Sequence, residues 1–189
     1  MTLTPTPTLV FLPAYTPGQV EAISYDFSNN LCLAQWRNGA GALPCPSQEN
    51  DNRGFAVKVN QPGLDGNVIA LGSGILMSPQ NIKDGSISGV YPAIQVRNGD
   101  HFRVIIACEA GRTKCLVIFR LDYQIGSDPP RIYWAFGEQS DDRYWPVDLD
   151  LSLLAGQKVK FTLSVFSVGA ASTDNRAIWF APRIVHTLP

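Results

Sequence analysis

Residues 159–165 alternate strictly: Val159, Phe161, Leu163 and Val165 are apolar, and Lys160, Thr162 and Ser164 between them are polar. A two-residue period of this kind predicts a strand with one dry and one wet face. Comparable runs occur at 22–27, 31–37, 55–59, 90–96, 102–108, 115–123, 132–136, 144–149 and 176–185. Turn chemistry separates them, at Asn29-Asn30, Asn38-Gly39, Asp65-Gly66, Asp84-Gly85, Asn98-Gly99 and Ala155-Gly156. No segment carries the 3.6-residue period of an amphipathic helix, and at most one short helical turn is expected, near 151–155, where Ser152 interrupts the strand pattern. About ten short strands between turn signals predict an all-β fold, a two-sheet antiparallel jelly-roll sandwich with little or no helix.

The stretch 102–123 is the clearest local unit. Two apolar-rich strands flank Glu109-Ala110-Gly111-Arg112-Thr113-Lys114, with Cys108 and Cys115 at the inner ends. Read as a hairpin with those cysteines bonded across it, the unit places Phe102, Val104 and Ile106 on one face with Val117, Phe119 and Leu121. Arg103 then opposes Arg120, and His101 opposes Asp122, on the polar face. Like charges directly opposed are unfavourable unless an anionic or hydrogen-bonding group lies between them. This face is therefore the preferred ligand surface, the alternative being an ordinary ion-pair network with neighbouring carboxylates.

The chain has 189 residues, enough for one good core, and residues 13–189 are expected to form a single domain. Residues 1–12, with alternating Thr4-Pro5-Thr6-Pro7-Thr8, read as a Thr/Pro-rich linker or the start of the chain, joining the domain to others of a larger surface protein. Only 16% of residues are charged and the net charge is −1, with no long basic run, so a nucleic-acid partner is set aside. Apolar runs are too short for a spanning helix, so direct membrane insertion is set aside as well. The four cysteines fall into two locally spaced pairs, predicting Cys32–Cys45 and Cys108–Cys115 disulfides and an extracellular or cell-surface setting, with any secretion signal upstream of this sequence. Four reduced, buried thiols are the alternative.

The segments Tyr144–Leu151, Leu154–Gln157, Val159–Val165, Arg176–Trp179 and Pro182–Ile184 together resemble the closing strands of galactose-binding-like jelly rolls, a group that includes many secreted bacterial carbohydrate-binding modules. The resemblance covers about 45 residues closely and implies the fold more than the ligand. The closing segment of that family is mostly scaffold, so no binding residue transfers with it.

Sugar binding requires aromatic faces and planar polar groups. Trp36, Tyr91, Tyr133, Trp134, Tyr144, Trp145 and Trp179 supply rings, and Arg103, Arg120, Asn175 and Arg176 supply polar groups. Tyr133 and Tyr144, near the loop 137–143, are the expected outward rings. Asp141, Asp142, Asp148 and Asp150 form an acidic group that could hold a structural Ca²⁺, but their spacing matches no calcium loop, and no cofactor is expected. The reading is a non-catalytic module for carbohydrate or another cell-surface ligand. A structural or sensor interaction domain without a small-molecule site is the alternative. A glycoside hydrolase using Glu138 with Asp122 or Asp148 is the third reading.

Overall fold

The computed structural model describes residues 8–10 and 21–187. Fifteen strands account for nearly all of its regular structure: β1 (Thr8–Val10), β2 (Glu21–Asp26), β3 (Gln35–Arg37), β4 (Phe55–Asn60), β5 (Gly63–Leu64), β6 (Val68–Ala70), β7 (Ser73–Ser78), β8 (Ser86–Val90), β9 (Ile94–Gln95), β10 (Asp100–Cys108), β11 (Leu116–Ile125), β12 (Arg131–Gln139), β13 (Trp145–Asp150), β14 (Lys158–Ser167) and β15 (Ala177–Thr187). Two six-stranded sheets face each other. The first runs β13-β10-β15-β7-β4, with β2 also paired to β15, and the second runs β12-β11-β14-β8-β3, with β9 also paired to β14. Every pairing in these two sheets is antiparallel. We refer to them as the front sheet (β3, β8, β9, β11, β12, β14) and the back sheet (β2, β4, β7, β10, β13, β15). The all-β sandwich expected from the sequence is what forms, and the expected helical turn is the 3₁₀ turn Ser152–Leu154.

The predicted inward set of β14, Val159, Phe161, Leu163 and Val165, is fully buried between the sheets, although Ser164 on the opposite face is buried as well. They meet Phe102, Val104 and Ile106 of β10, Val117, Phe119 and Leu121 of β11, and the buried Trp179, whose ring lies 5.0 Å from that of Phe119. Alternation fails in β7, where Ile75, Leu76 and Met77 are all buried. A third, small sheet of β1, β6 and β5 accompanies the sandwich, and Leu64, Val68 and Ala70 pack with Leu76, Ile105 and Phe180 in a second core outside the back sheet. A strand covered on both faces has no wet side to reveal its period, so β7 was not legible in the sequence. β8 was missed for another reason, since Ser86-Ile87-Ser88-Gly89 offers one apolar residue in four.

Three expectations are corrected. The run 31–37 begins with the 3₁₀ turn Leu31–Leu33, and the strand starts only at Gln35. Most of 90–96 is not strand, apart from the end of β8 and the two residues of β9. Above all, β10 and β11 do not pair: β10 lies between β13 and β15, and β11 between β12 and β14. The link 109–114 crosses from one sheet to the other, and the Cys108–Cys115 disulfide, with its Cα atoms 6.2 Å apart, joins the sheets at that corner. The faces inferred for both strands are right, because facing depends on the local period, whereas the partner depends on distant strands. Cys32–Cys45 is the second disulfide, and no described cysteine is free. Of the expected linker, residues 8–10 form β1, which pairs in parallel with β6, and the rest of 1–12 lies outside the described residues.

Candidate functional site

Arg103 and Arg120 lie on the outer faces of opposite sheets, so the predicted Arg103/Arg120 and His101/Asp122 pairs do not exist. Across the back sheet, the register sets Asp148, Arg103, Arg183 and Asp26 in one lateral row, two cations flanked by two anions. The Arg103 guanidinium bonds Asp148 at 2.9 Å, and the His101 ring bonds the same carboxylate at 2.7 Å. This is the ordinary ion-pair network that stood as the alternative.

Across the front sheet, the corresponding row reads Arg37, Ser88, Ser164, Arg120. Residues directly opposed on neighbouring strands share a face, and here the face is the outer one, since Trp36, Ile87, Val165 and Phe119 beside them are buried. Ser86 and Ser88 at the centre, with Arg37 and Arg120 at either end, line a trough of about 760 Å³. Ser164 Oγ donates to Ser88 Oγ at 2.9 Å, which closes the floor. On one side Arg120 Nε donates to the buried Asp122 at 2.9 Å, and the Arg120 guanidinium lies 4.4 Å from the centre of the Phe166 ring, a cation–π contact.

The opposite wall is the turn after β3. The Asn38 side-chain carbonyl accepts the N–H groups of Ala40 and Gly41, both at 2.8 Å, and its amide donates to the Arg53 carbonyl at 2.7 Å. One side chain thereby fixes the wall, and Gly39, Ala40, Gly41 and Ala42 leave it without bulk. Arg37 and Gln35 face the trough from β3. Among the described residues the Arg37 guanidinium has no hydrogen-bond or ion-pair partner.

Of the sequence candidates, the structure brings only Arg120 and Asp122 to this surface. Tyr133 is half-buried, its ring 5.7 Å from that of Tyr123 and its hydroxyl donating to the Asp150 carbonyl, and Tyr144 packs on the second core; neither ring stands outward as expected. Trp36, Tyr91 and Trp179 are core, and Trp134 and Trp145 pack against it. Asn175 caps the Leu116 N–H, and Arg176, almost fully buried, pairs with Glu109 and Glu49.

The four aspartates proposed as an acidic group separate. Asp148 and Asp150 lie on β13, while Asp141 and Asp142 line a second hollow of about 350 Å³ with Asp65 and Arg112. Asp65 is already engaged by the N–H groups of Asp141 at 2.9 Å and Asp142 at 3.2 Å. Among the described residues no group of three or more His, Cys, Asp or Glu is placed to hold a metal ion. Glu138 lies on the inner face of β12, opposite Val117, while Asp122 and Asp148 lie on the two outer faces. Burial raises the Glu138 carboxyl to about 7, and the charges of Asp141 and Asp65 add to the shift.

Arg37, Ser88, Ser164, Phe166 and the wall 38–42 were missed by sequence reasoning. The polar–Trp–polar pattern of Gln35-Trp36-Arg37 was the available signal for Arg37. The lateral row was not available, because its strands lie far apart in the chain.

No family model and no curated protein matches the chain. Among solved structures, the chain is similar to the CBM51 module of Clostridium perfringens GH95 in complex with methyl-galactose, at 11% identity over 87% of this chain and 99% of that one, with a TM-score of 0.52. It is similar also to TmCBM61 in complex with β-1,4-galactotriose, at 10% identity over 88% and 99%, with a TM-score of 0.50. Against the CBM51-2 and INT domains of Clostridium perfringens ZmpB in complex with GlcNAc, it covers 22% of that chain and 61% of its own, at 14% identity and a TM-score of 0.43. The first two likenesses establish the fold: the chain has the jelly-roll architecture of these carbohydrate-binding modules.

Proposed function

We propose that this chain is a non-catalytic, extracytoplasmic carbohydrate-binding module whose binding surface is the trough on the outer face of the front sheet. The observation that carries the reading is the row Arg37–Ser88–Ser164–Arg120. Planar guanidinium groups and hydroxyls converge there on an open hollow with a floor of small side chains. Such groups bond sugar hydroxyls, and the C–H face of a pyranose needs an apolar neighbour. Phe166 supplies one, and the exposed Ile118, its cross-strand partner, continues it.

The saccharides in the two similar solved structures support the ligand class. Two disulfides support an oxidising compartment. The reading requires no metal or cofactor, and it treats the chain, with β1 included in the fold, as one module of a larger surface protein.

A glycan array probed with the chain, followed by titration of the best saccharide, tests the reading. The wild-type chain is expected to bind, and Ser86→Trp, which puts an indole into the trough from β8, is expected to abolish binding while leaving the thermal midpoint unchanged. Saccharide binding that survives Ser86→Trp moves the site elsewhere.

A further inference from the structure

The two outer faces of the sandwich treat their arginines differently. In the back-sheet row each arginine has an aspartate on its far side, so the row is neutral. In the front-sheet row no carboxylate stands at any of the four positions, and two arginines face each other across two serines. Three strand spacings separate them, about 14–15 Å between Cα atoms. Asp122, one row along, answers Arg120. Nothing among the described residues answers Arg37. The lining of the trough includes Arg37 and Arg120 and no Asp or Glu, on a chain whose net charge is −1. The smaller hollow has the opposite sign, with Asp65, Asp141 and Asp142 against Arg112. The carboxylate-free, arginine-bearing lining belongs to the trough and not to the smaller hollow.

A site for neutral sugars does not require an unanswered guanidinium. Hydroxyls are bonded by neutral amides as well, and a cation covered by a neutral ligand loses part of its water with no opposite charge in exchange. A guanidinium fork does match the two oxygens of a carboxylate, or two of a sulfate ester, with hydrogen bonds about twice as strong as neutral ones.

We infer that the trough recognises an anionic saccharide, its acidic group held by Arg37 on β3 and its ring lying over Ser86 and Ser88 toward Arg120 and Phe166. The inference rests on the carbohydrate-binding reading of the same surface and adds the charge class of the ligand. The front sheet would then act as a selector: Arg120, with its charge answered by Asp122, packs on Phe166 and bonds hydroxyls, while Arg37 supplies the discrimination.

The test is calorimetric titration of the full chain with matched oligosaccharides: neutral β-1,4-galactan and xylan fragments, oligogalacturonides, and sulfated galactan fragments. The measurements are made at about 0.05 M and about 0.5 M salt, where the screening length differs several-fold. One anionic series is expected to bind at least about tenfold more tightly than the neutral ones, with the margin shrinking at high salt. The series that does so, uronate or sulfate, identifies the acidic group. Arg37→Gln is expected to remove most of the margin with an unchanged thermal midpoint, and Lys83→Gln, at an exposed lysine outside the trough, to leave it intact. Neutral fragments that bind as well as anionic ones, with Ser86→Trp abolishing both, would overturn the charge class and keep the carbohydrate reading. No binding in any series, or binding indifferent to Ser86→Trp, would overturn both.

Discussion

The indole ring of Trp36 rests directly on the backbone of Gly89, its cross-strand partner: a Cβ at position 89 would fall 2.6 Å from the ring. The indole N–H donates to the Leu31 carbonyl at 2.8 Å, so the ring is fixed from both sides. β3 is only three residues long, and this contact holds it against β8.

Gly89→Ala is accordingly expected to cost about 1–3 kcal/mol, the usual penalty for inserting a methyl group into a filled core. It should also weaken saccharide binding, because Gln35 and Arg37 flank the displaced Trp36. Thermal melts and titration on one sample check both effects. A melt unchanged from wild type would show that the ring can move aside.

How the two arginines on the outer faces respond to truncation separates recognition from architecture. Arg120→Ala should weaken saccharide binding and also cost about 1–3 kcal/mol, since it leaves the buried Asp122 carboxylate without its guanidinium. Arg103→Ala should leave binding unchanged and cost about 1 kcal/mol or less, because its partner Asp148 is half exposed. Equal losses of affinity in the two variants would contradict the assignment of the trough.

These outcomes differ from what the sequence alone suggested, and the reason is physical. The period of two placed Phe102, Val104 and Ile106 inward and Arg103 outward correctly, because it follows from local backbone geometry. Which strand lies beside β10 depends on β13 and β15, dozens of residues later. The Cys108–Cys115 spacing suits a hairpin and an inter-sheet corner equally well. The trough draws one residue from β3, one from β8, one from β14 and one from β11 into its central row, so no window of sequence contains it. Phe166 and the serines looked like ordinary wet-face residues for the same reason.

Glu138 gives the fold a pH dependence of unusual sign. Its carboxyl is raised to about 7 by burial first, then by the charges of Asp141 and Asp65, against hydrogen bonds from the Trp145 side chain and the Cys108 backbone that pull it down. The folded state therefore holds this proton more tightly than the unfolded chain does. The stabilisation is full below the ordinary glutamate range and is lost as pH rises through about 7. The loss amounts to about 3–4 kcal/mol. Glu138→Gln should flatten this part of the melting profile and be more stable than wild type above neutrality. Melting curves across that range decide it, and a wild-type profile that rises toward neutrality with no contrast to Glu138→Gln would reject the assignment.

The Cys108–Cys115 bond differs from a hairpin staple in what its loss should do. Its seven-residue separation predicts a gain of about 2–3 kcal/mol from restricting the unfolded chain. In the folded chain it ties the end of β10 in the back sheet to the start of β11 in the front sheet, and both half-cystines are buried in the core. Close by, the Ser140 N–H donates to the Cys115 carbonyl at 3.1 Å and the Asp65 N–H to the Cys108 carbonyl at 3.0 Å, so the smaller hollow hangs from this corner. The trough lies on strands joined by their own antiparallel ladders, which do not depend on the disulfide. A Cys108→Ala, Cys115→Ala double variant should therefore melt lower by that amount and exchange the amide protons of residues 138–142 faster, while keeping wild-type affinity for the saccharide. Loss of affinity with retained protection at the corner would place the ligand in the smaller hollow instead.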